Sequence, residues 1–198
     1  MNPRCTGVTP PPARRGRGRV LPTLWLTLCL ALGAANAPAS PQGEPSDIAA
    51  LRANQDRPAT ELRDEALRLL QANDDRTHHA WATLALAEFE NDLENADESL
   101  LLLDQARREA DALALDELRF AILTRQSTVL VNRGRSAETD AVLREMQALV
   151  EDRNDPLWRA LWLHERGVLE RKLGRFDTSR ALIEQALVLL RQQGDDAG

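Results

Sequence analysis

Residues 163–190 read LHERGVLERKLGRFDTSRALIEQALVLL, and this stretch decides the fold. Before the break at Leu173-Gly174-Arg175, small Gly167 lies among Leu163, Val168 and Leu169. After the break, Leu182, Ile183, Ala186, Leu189 and Leu190 fall on one stripe of a helix. Two helices joined by a glycine turn make a hairpin too small to bury its own apolar face. Forty residues upstream, 123–150 read LTRQSTVLVNRGRSAETDAVLREMQALV, and forty further back, 83–110 read TLALAEFENDLENADESLLLLDQARREA. Leu62 and Ala66 align in this way with Leu102 and Ala106, with Val142 and Met146, and with Leu182 and Ala186. Ala87, Ser127 and Gly167 form a second series, and Gly134 and Gly174 a third at the turn. A fixed period without gaps means stacked helical hairpins.

Working outward, the pattern predicts a short first helix opened by Ile48-Ala49-Ala50-Leu51, a turn over 54–58 and a second helix over 59–72. Three full hairpins follow, 76–93 with 96–113, 116–132 with 136–151, and 156–173 with 176–193. Asp155-Pro156 supplies an N-cap and a proline at the first helical position. Asn95 and Glu98 have capping-box spacing, and Gly194 is placed to end the last helix in a left-handed conformation. Every apolar run has helical spacing, so the expected class is all-α.

The hairpin quoted first resembles a tetratricopeptide repeat. Gly167 matches the small residue where the partner helix comes close, Gly174 and Phe176 the turn glycine and following aromatic, and Ser179 and Ala186 the small residues of the second helix. The second hairpin keeps Ser127, Gly134 and Thr139 but has Met146 for the second-helix alanine; the first keeps Ala87, Ser99 and Ala106 but has Glu94 for the glycine. The 40-residue period is longer than the usual ~34, and the closing proline is missing. The resemblance covers about 47–194 and implies a right-handed α-solenoid of about three and a half antiparallel hairpins. It also implies a groove along the first helices in which a peptide or partner helix lies. Transferred by alignment, that groove takes Trp81, Glu88, Asn91, Arg125, Thr128, Asn132, His164, Arg171 and Lys172. Family members that bind C-terminal carboxylates use cationic positions occupied here by Leu84 and Leu161, which argues against that mode.

Residues 1–39 have another composition. Five arginines (Arg4, Arg14, Arg15, Arg17 and Arg19) and no acid precede an apolar run from Val20 to Ala35, and Ala37-Pro38-Ala39 follows. Basic, apolar, small-residue cleavage site is the order of a secretory signal peptide, with cleavage expected before Ser40. The alternative is an uncleaved inner-membrane anchor over 20–35, but the run contains Pro22 and is shorter than the ~18–20 residues of a spanning helix. Residues 40–46 read as a disordered Pro/Gly/Ser linker and 195–198 as a tail. Loss of the leader's five arginines takes the net charge from −6 to −11 and removes both cysteines, Cys5 and Cys29. An acidic surface does not attract nucleic acid through a general field, and stability must come from packing without disulfides. Of the 25 basic residues only Lys172 is a lysine, a bias that fits a GC-rich coding genome.

No catalytic constellation stands out. His78 and His79 are adjacent, so on a helix they point about 100° apart and cannot chelate one ion. His164-Glu165 lacks the second histidine of a zinc-protease helix. No cofactor is expected. The reading is an exported, periplasmic scaffold or adaptor that binds a protein or peptide and is not an enzyme. Its rival is the sensory N-terminal region of a truncated or split signalling enzyme, such as a membrane-bound diguanylate cyclase. A third feature concerns the last helix. A terminal repeat normally presents a polar outer face, yet Leu182, Ile183, Leu187, Val188 and Leu190 make this one as apolar as an internal helix. That face is expected to dock a partner, a further segment, or a second copy of the chain as a homodimer.

Overall fold

The computed structural model describes residues 43–54 and 56–195, with side chains to 193. The leader at 1–39, linker residues 40–42 and tail residues 196–198 lie outside them. The described residues contain eight helices and no strand: α1 (Ser46–Ala53), α2 (Ala59–Ala72), α3 (Arg76–Asp92), α4 (Ala96–Leu113), α5 (Asp116–Asn132), α6 (Ser136–Arg153), α7 (Pro156–Lys172) and α8 (Phe176–Asp195). Each packs on the next, and the first helices of successive hairpins also meet, α1 on α3, α3 on α5 and α5 on α7. The array is an α-solenoid whose hairpin boundaries follow the 40-residue period read from the sequence.

The period extends to single dihedral angles. Glu94, Gly134 and Gly174 all have left-handed backbone, with φ of 66°, 72° and 78°. In each turn the N–H of the next residue reaches back to the carbonyl five residues earlier, Asn95 to Glu90, Arg135 to Leu130 and Arg175 to Glu170, all at 2.9 Å. This Schellman closure satisfies the last carbonyls of the first helix. Between hairpins, Ala114 and Asn154 are again left-handed and 40 residues apart, with φ of 52° and 51°. Two expected caps differ. Asn95 makes no cap hydrogen bond; its amide donates to the Glu90 carboxylate at 2.7 Å, because the Schellman turn has already fixed the backbone there. Gly194 does not end α8, which runs on to Asp195. Asp155 does cap α7, accepting from the N–H groups of Leu157 and Trp158.

Small residues set how closely the two layers approach. The buried Ser99 hydroxyl donates to the Ala87 carbonyl at 2.7 Å, tying α4 to α3. A Cβ added at Gly167 would lie 2.9 Å from Ile183 Cγ1 and 3.3 Å from the Ser179 carbonyl oxygen. In the middle hairpin fully buried Met146 replaces the alanine, and α5 and α6 are the most loosely apposed of the three pairs. Alanine-rich α3 is buried on nearly every side from Ala80 to Phe89. Ile48 and Leu51 of short α1 are buried against this first cluster, and Phe120 stacks on Trp158 at 4.3 Å to carry the core from α5 to α7. The two ends differ. At the head of the array, Arg57 is ion-paired with Glu61 and Glu65 of α2, a polar cap. At the tail, α8 has apolar residues open to solvent.

Candidate partner-binding surface

An ion-pair ladder crosses the first three first-layer helices. Arg52 of α1 donates from Nε and Nη2 to the two Glu88 carboxylate oxygens, both at 2.7 Å, and Arg125 of α5 donates to Oε1 at 3.0 and 2.7 Å. Burial alone would push the Glu88 carboxyl up; Arg125 and Arg52 outweigh that and hold it at about 2. Glu44 also accepts from Arg52, at 2.6 Å, so the chain is held in place two residues before α1 begins, inside the stretch expected as linker. The Arg52 guanidinium lies 6.0 Å from the centre of the Trp81 ring, which is buried behind it. Trp81 and Glu88 thus serve the packing of the array and are not presented to solvent. Arg125 is partly exposed but committed to Glu88.

The other aligned positions remain accessible. Thr128 and Asn91 are partly exposed, and Asn132, Arg171 and Lys172 are exposed. The Thr128 hydroxyl donates to the Thr124 carbonyl at 3.1 Å. His164 is partly exposed, its Nδ1 3.5 Å from the carboxylate of buried Glu165, which accepts from the Ser127 hydroxyl at 2.8 Å. Together they outline a surface wider than the alignment supplied. On α5 one line of partly exposed residues has Ala121, Thr124 and Thr128, with Asn132 exposed at the end. On α7 the corresponding line has Leu157, Leu161, His164 and Val168, with Arg171 exposed at the end. Spacings of three and four place each set on one helical face, and the two sets are in register at the 40-residue period, 121 with 161, 124 with 164, 128 with 168. Outside these lines Glu117, Arg119 and Arg125 of α5 and Trp162 and Arg166 of α7 are also partly exposed, the last two lying against α6. The alignment puts Leu161 at a groove position; Leu157 and Val168 escape it because an apolar residue on a helix reads as core, although shifting Thr128 by one period gives Val168.

At one end of this face, Asp92, Asn132 and Lys172 occupy the same register on α3, α5 and α7, so charge runs from acidic to basic across the array. The Asp92 carboxyl is raised by the protein around it and by Glu88, against the pull of Arg125. Arg171 and Lys172 form no ion pair among the described residues.

The histidines at the start of α3 diverge as the helix geometry requires. His78 is buried with Nε2 2.8 Å from Asp47 of α1, and His79 places Nδ1 2.9 Å from Glu109 of α4. The hydrogen bond to His78 lowers the Asp47 carboxyl. His78 is therefore an interhelix tie between α3 and α1. Among the described residues no three His, Cys, Asp or Glu side chains gather to hold a metal ion.

The second accessible surface is α8. On α6, Val142, Leu143, Met146 and Val150 are all buried. On α8 only Ser179 and Ala186 are; Leu182, Ile183, Leu189 and Leu190 are partly exposed, and Phe176, Leu187 and Val188 are 66%, 44% and 50% exposed. The difference has an identifiable cause. Trp162 of α7 donates to the Leu143 carbonyl at 2.9 Å and Arg166 pairs with Asp140, so α7 covers one flank of α6. The same flank of α8, forty residues on, holds exposed Phe176, Arg180 and Leu187, with no described helix over them. It also holds partly exposed Ile183 and Leu190, of which Ile183 faces Gly167 of α7 and Leu190 packs against the buried cluster that includes Ala160 and Ala186. No protein family, no curated protein and no solved structure matches this chain.

Proposed function

We propose that this protein is an exported scaffold or adaptor of the tetratricopeptide type, holding a protein or peptide against the open face of α5 and α7. One observation carries the reading: on α5 and α7 a continuous face of Leu157, Leu161 and Val168 beside Thr124, Thr128 and Asn132 stays at least partly accessible, in register across the repeat. An apolar strip with polar side chains along it and cations at one end suits a segment that contributes side chains to the strip and carboxylates to Arg171 and Lys172. The order of residues 1–39 supports export to the periplasm. Among the described residues no helix is long and apolar enough to cross a membrane. The experiment is capture from a periplasmic extract by wild type and by Arg171→Glu with Lys172→Glu. Both side chains are exposed and unpaired, so the double variant should fold as wild type does and lose the captured partner. A partner retained at wild-type level would place the site elsewhere. Arg125 is unsuitable for this purpose, because Arg125→Glu sets a second carboxylate against buried Glu88.

A further inference from the structure

We infer that the open flank of α8 is the interface of a two-fold dimer, α8 packing antiparallel on α8 of a second copy. The inference is independent of the groove reading, since it rests on a different face. The continuing stack shows what does not fit there. A helix like α7 would bring its Arg166 against Arg180, where on α6 it meets Asp140. The head of another copy does not fit either, because Arg57, Glu61 and Glu65 present charge where apolar area is needed.

The helix is instead complementary to itself. Exposed Leu187 and the accessible sides of partly buried Ile183 and Leu190 form the centre of the open stripe, which exposed Phe176 continues toward the helix start, and Glu184 and Arg191 lie along its outer edge. Seven residues apart, these two point within about 20° of each other. They lie about 5 Å either side of the midpoint between Leu187 and Val188, at 1.5 Å rise per residue. A two-fold axis through that midpoint, perpendicular to both helices, superposes the same edge of each helix with direction reversed. Glu184 of each chain then meets Arg191 of the other, twice, flanking a centre where Leu187 packs on its own copy. An isologous interface closes at two subunits, and apolar area exposed in the single chain is removed from water. A dimer of this form carries two α5/α7 faces, so it binds a repeated or paired target with avidity.

The test is sedimentation equilibrium of the protein as cells produce it, at tens of micromolar, with helicity followed by circular dichroism. Wild type should sediment as a dimer. Leu187→Glu, at an exposed position, should keep full helicity and sediment as a monomer. Glu184→Arg and Arg191→Glu should each weaken the dimer about tenfold at low salt, since each change affects both symmetric pairs. The two combined should restore it, a rescue that non-specific apolar association or docking of an unrelated partner does not give. A monomeric wild type overturns the inference, and so does a dimer unaffected by Leu187→Glu. A dimer lost on Leu187→Glu but indifferent to the charge exchanges overturns the antiparallel register.

Discussion

Glu88→Gln isolates the ion-pair ladder that joins α1, α3 and α5. Glu88 is buried, and Arg52 and Arg125 hold its carboxyl at about 2 instead of the ordinary value of 4.5. A depression of this size amounts to about 3 kcal/mol of folded-state stabilisation at neutral pH. Because the folded value is the lower one, the contribution is complete above the unfolded value and fades as pH falls from 4.5 towards 2. By pH 3 it has dropped to about 1 kcal/mol. The glutamine keeps the shape and one acceptor but leaves Arg125 without its ion-pair partner, whereas Arg52 still has Glu44. Urea unfolding of wild type and Glu88→Gln at pH 7 and pH 3 measures the difference directly, since every other titrating group is common to both. The variant should be less stable by about 3 kcal/mol at pH 7 and by about 1 kcal/mol at pH 3. That is a large share of the 5–15 kcal/mol typical of a domain. A difference under about 1 kcal/mol at pH 7, or one that does not change with pH, would refute the ladder as a structural element.

Two further outcomes concern the turns and the packing. Glu94→Gly replaces a left-handed residue with φ of 66° by the residue type found at Gly134 and Gly174. It should raise stability by up to about 1 kcal/mol in thermal unfolding, less what glycine gains in the unfolded chain; a loss would mean that the Glu94 side chain contributes more than its backbone costs. Gly167→Leu should lower stability by about 1–3 kcal/mol, since even a Cβ there meets Ile183 at 2.9 Å. A melting temperature at or above wild type would show that α7 and α8 can separate without penalty. Intact mass of the exported protein should correspond to a chain beginning at Ser40, and recovery of Met1 to Ala39 in the membrane fraction would indicate an anchor.

The fold was legible because the period fixes several independent things together. Small Ala87, Ser127 and Gly167, the turn at 94, 134 and 174, and the stripe ending in Ala106, Met146 and Ala186 all repeat at 40 residues, and chance does not align three series. The departures are local. Nothing in the residue type marks Glu94 as left-handed; only its place in the series does. Asn95 has the letter pattern of a cap, but the preceding turn had already taken its backbone out of the geometry a cap needs. The candidate site was read less well, because alignment gives the direction of a side chain and not what lies over it. Trp81 and Glu88 point as expected, yet α1 and the Arg52 guanidinium cover them, and α1 is too short and irregular for the repeat to predict its reach. Leu161 and Val168 show the reverse case, apolar residues at groove positions that remain accessible.

A photo-crosslinking residue placed at Val168 and, in a separate strain, at Leu101 tests the central claim most directly in living cells. Val168 lies on the open face of α7, and Leu101 lies on α4, in the second layer, at 65% exposure. If the face of α5 and α7 holds a partner, Val168 should give a discrete adduct of higher mass that disappears with Arg171→Glu and Lys172→Glu, and Leu101 should give none. An adduct at Leu101 with none at Val168 would contradict the account.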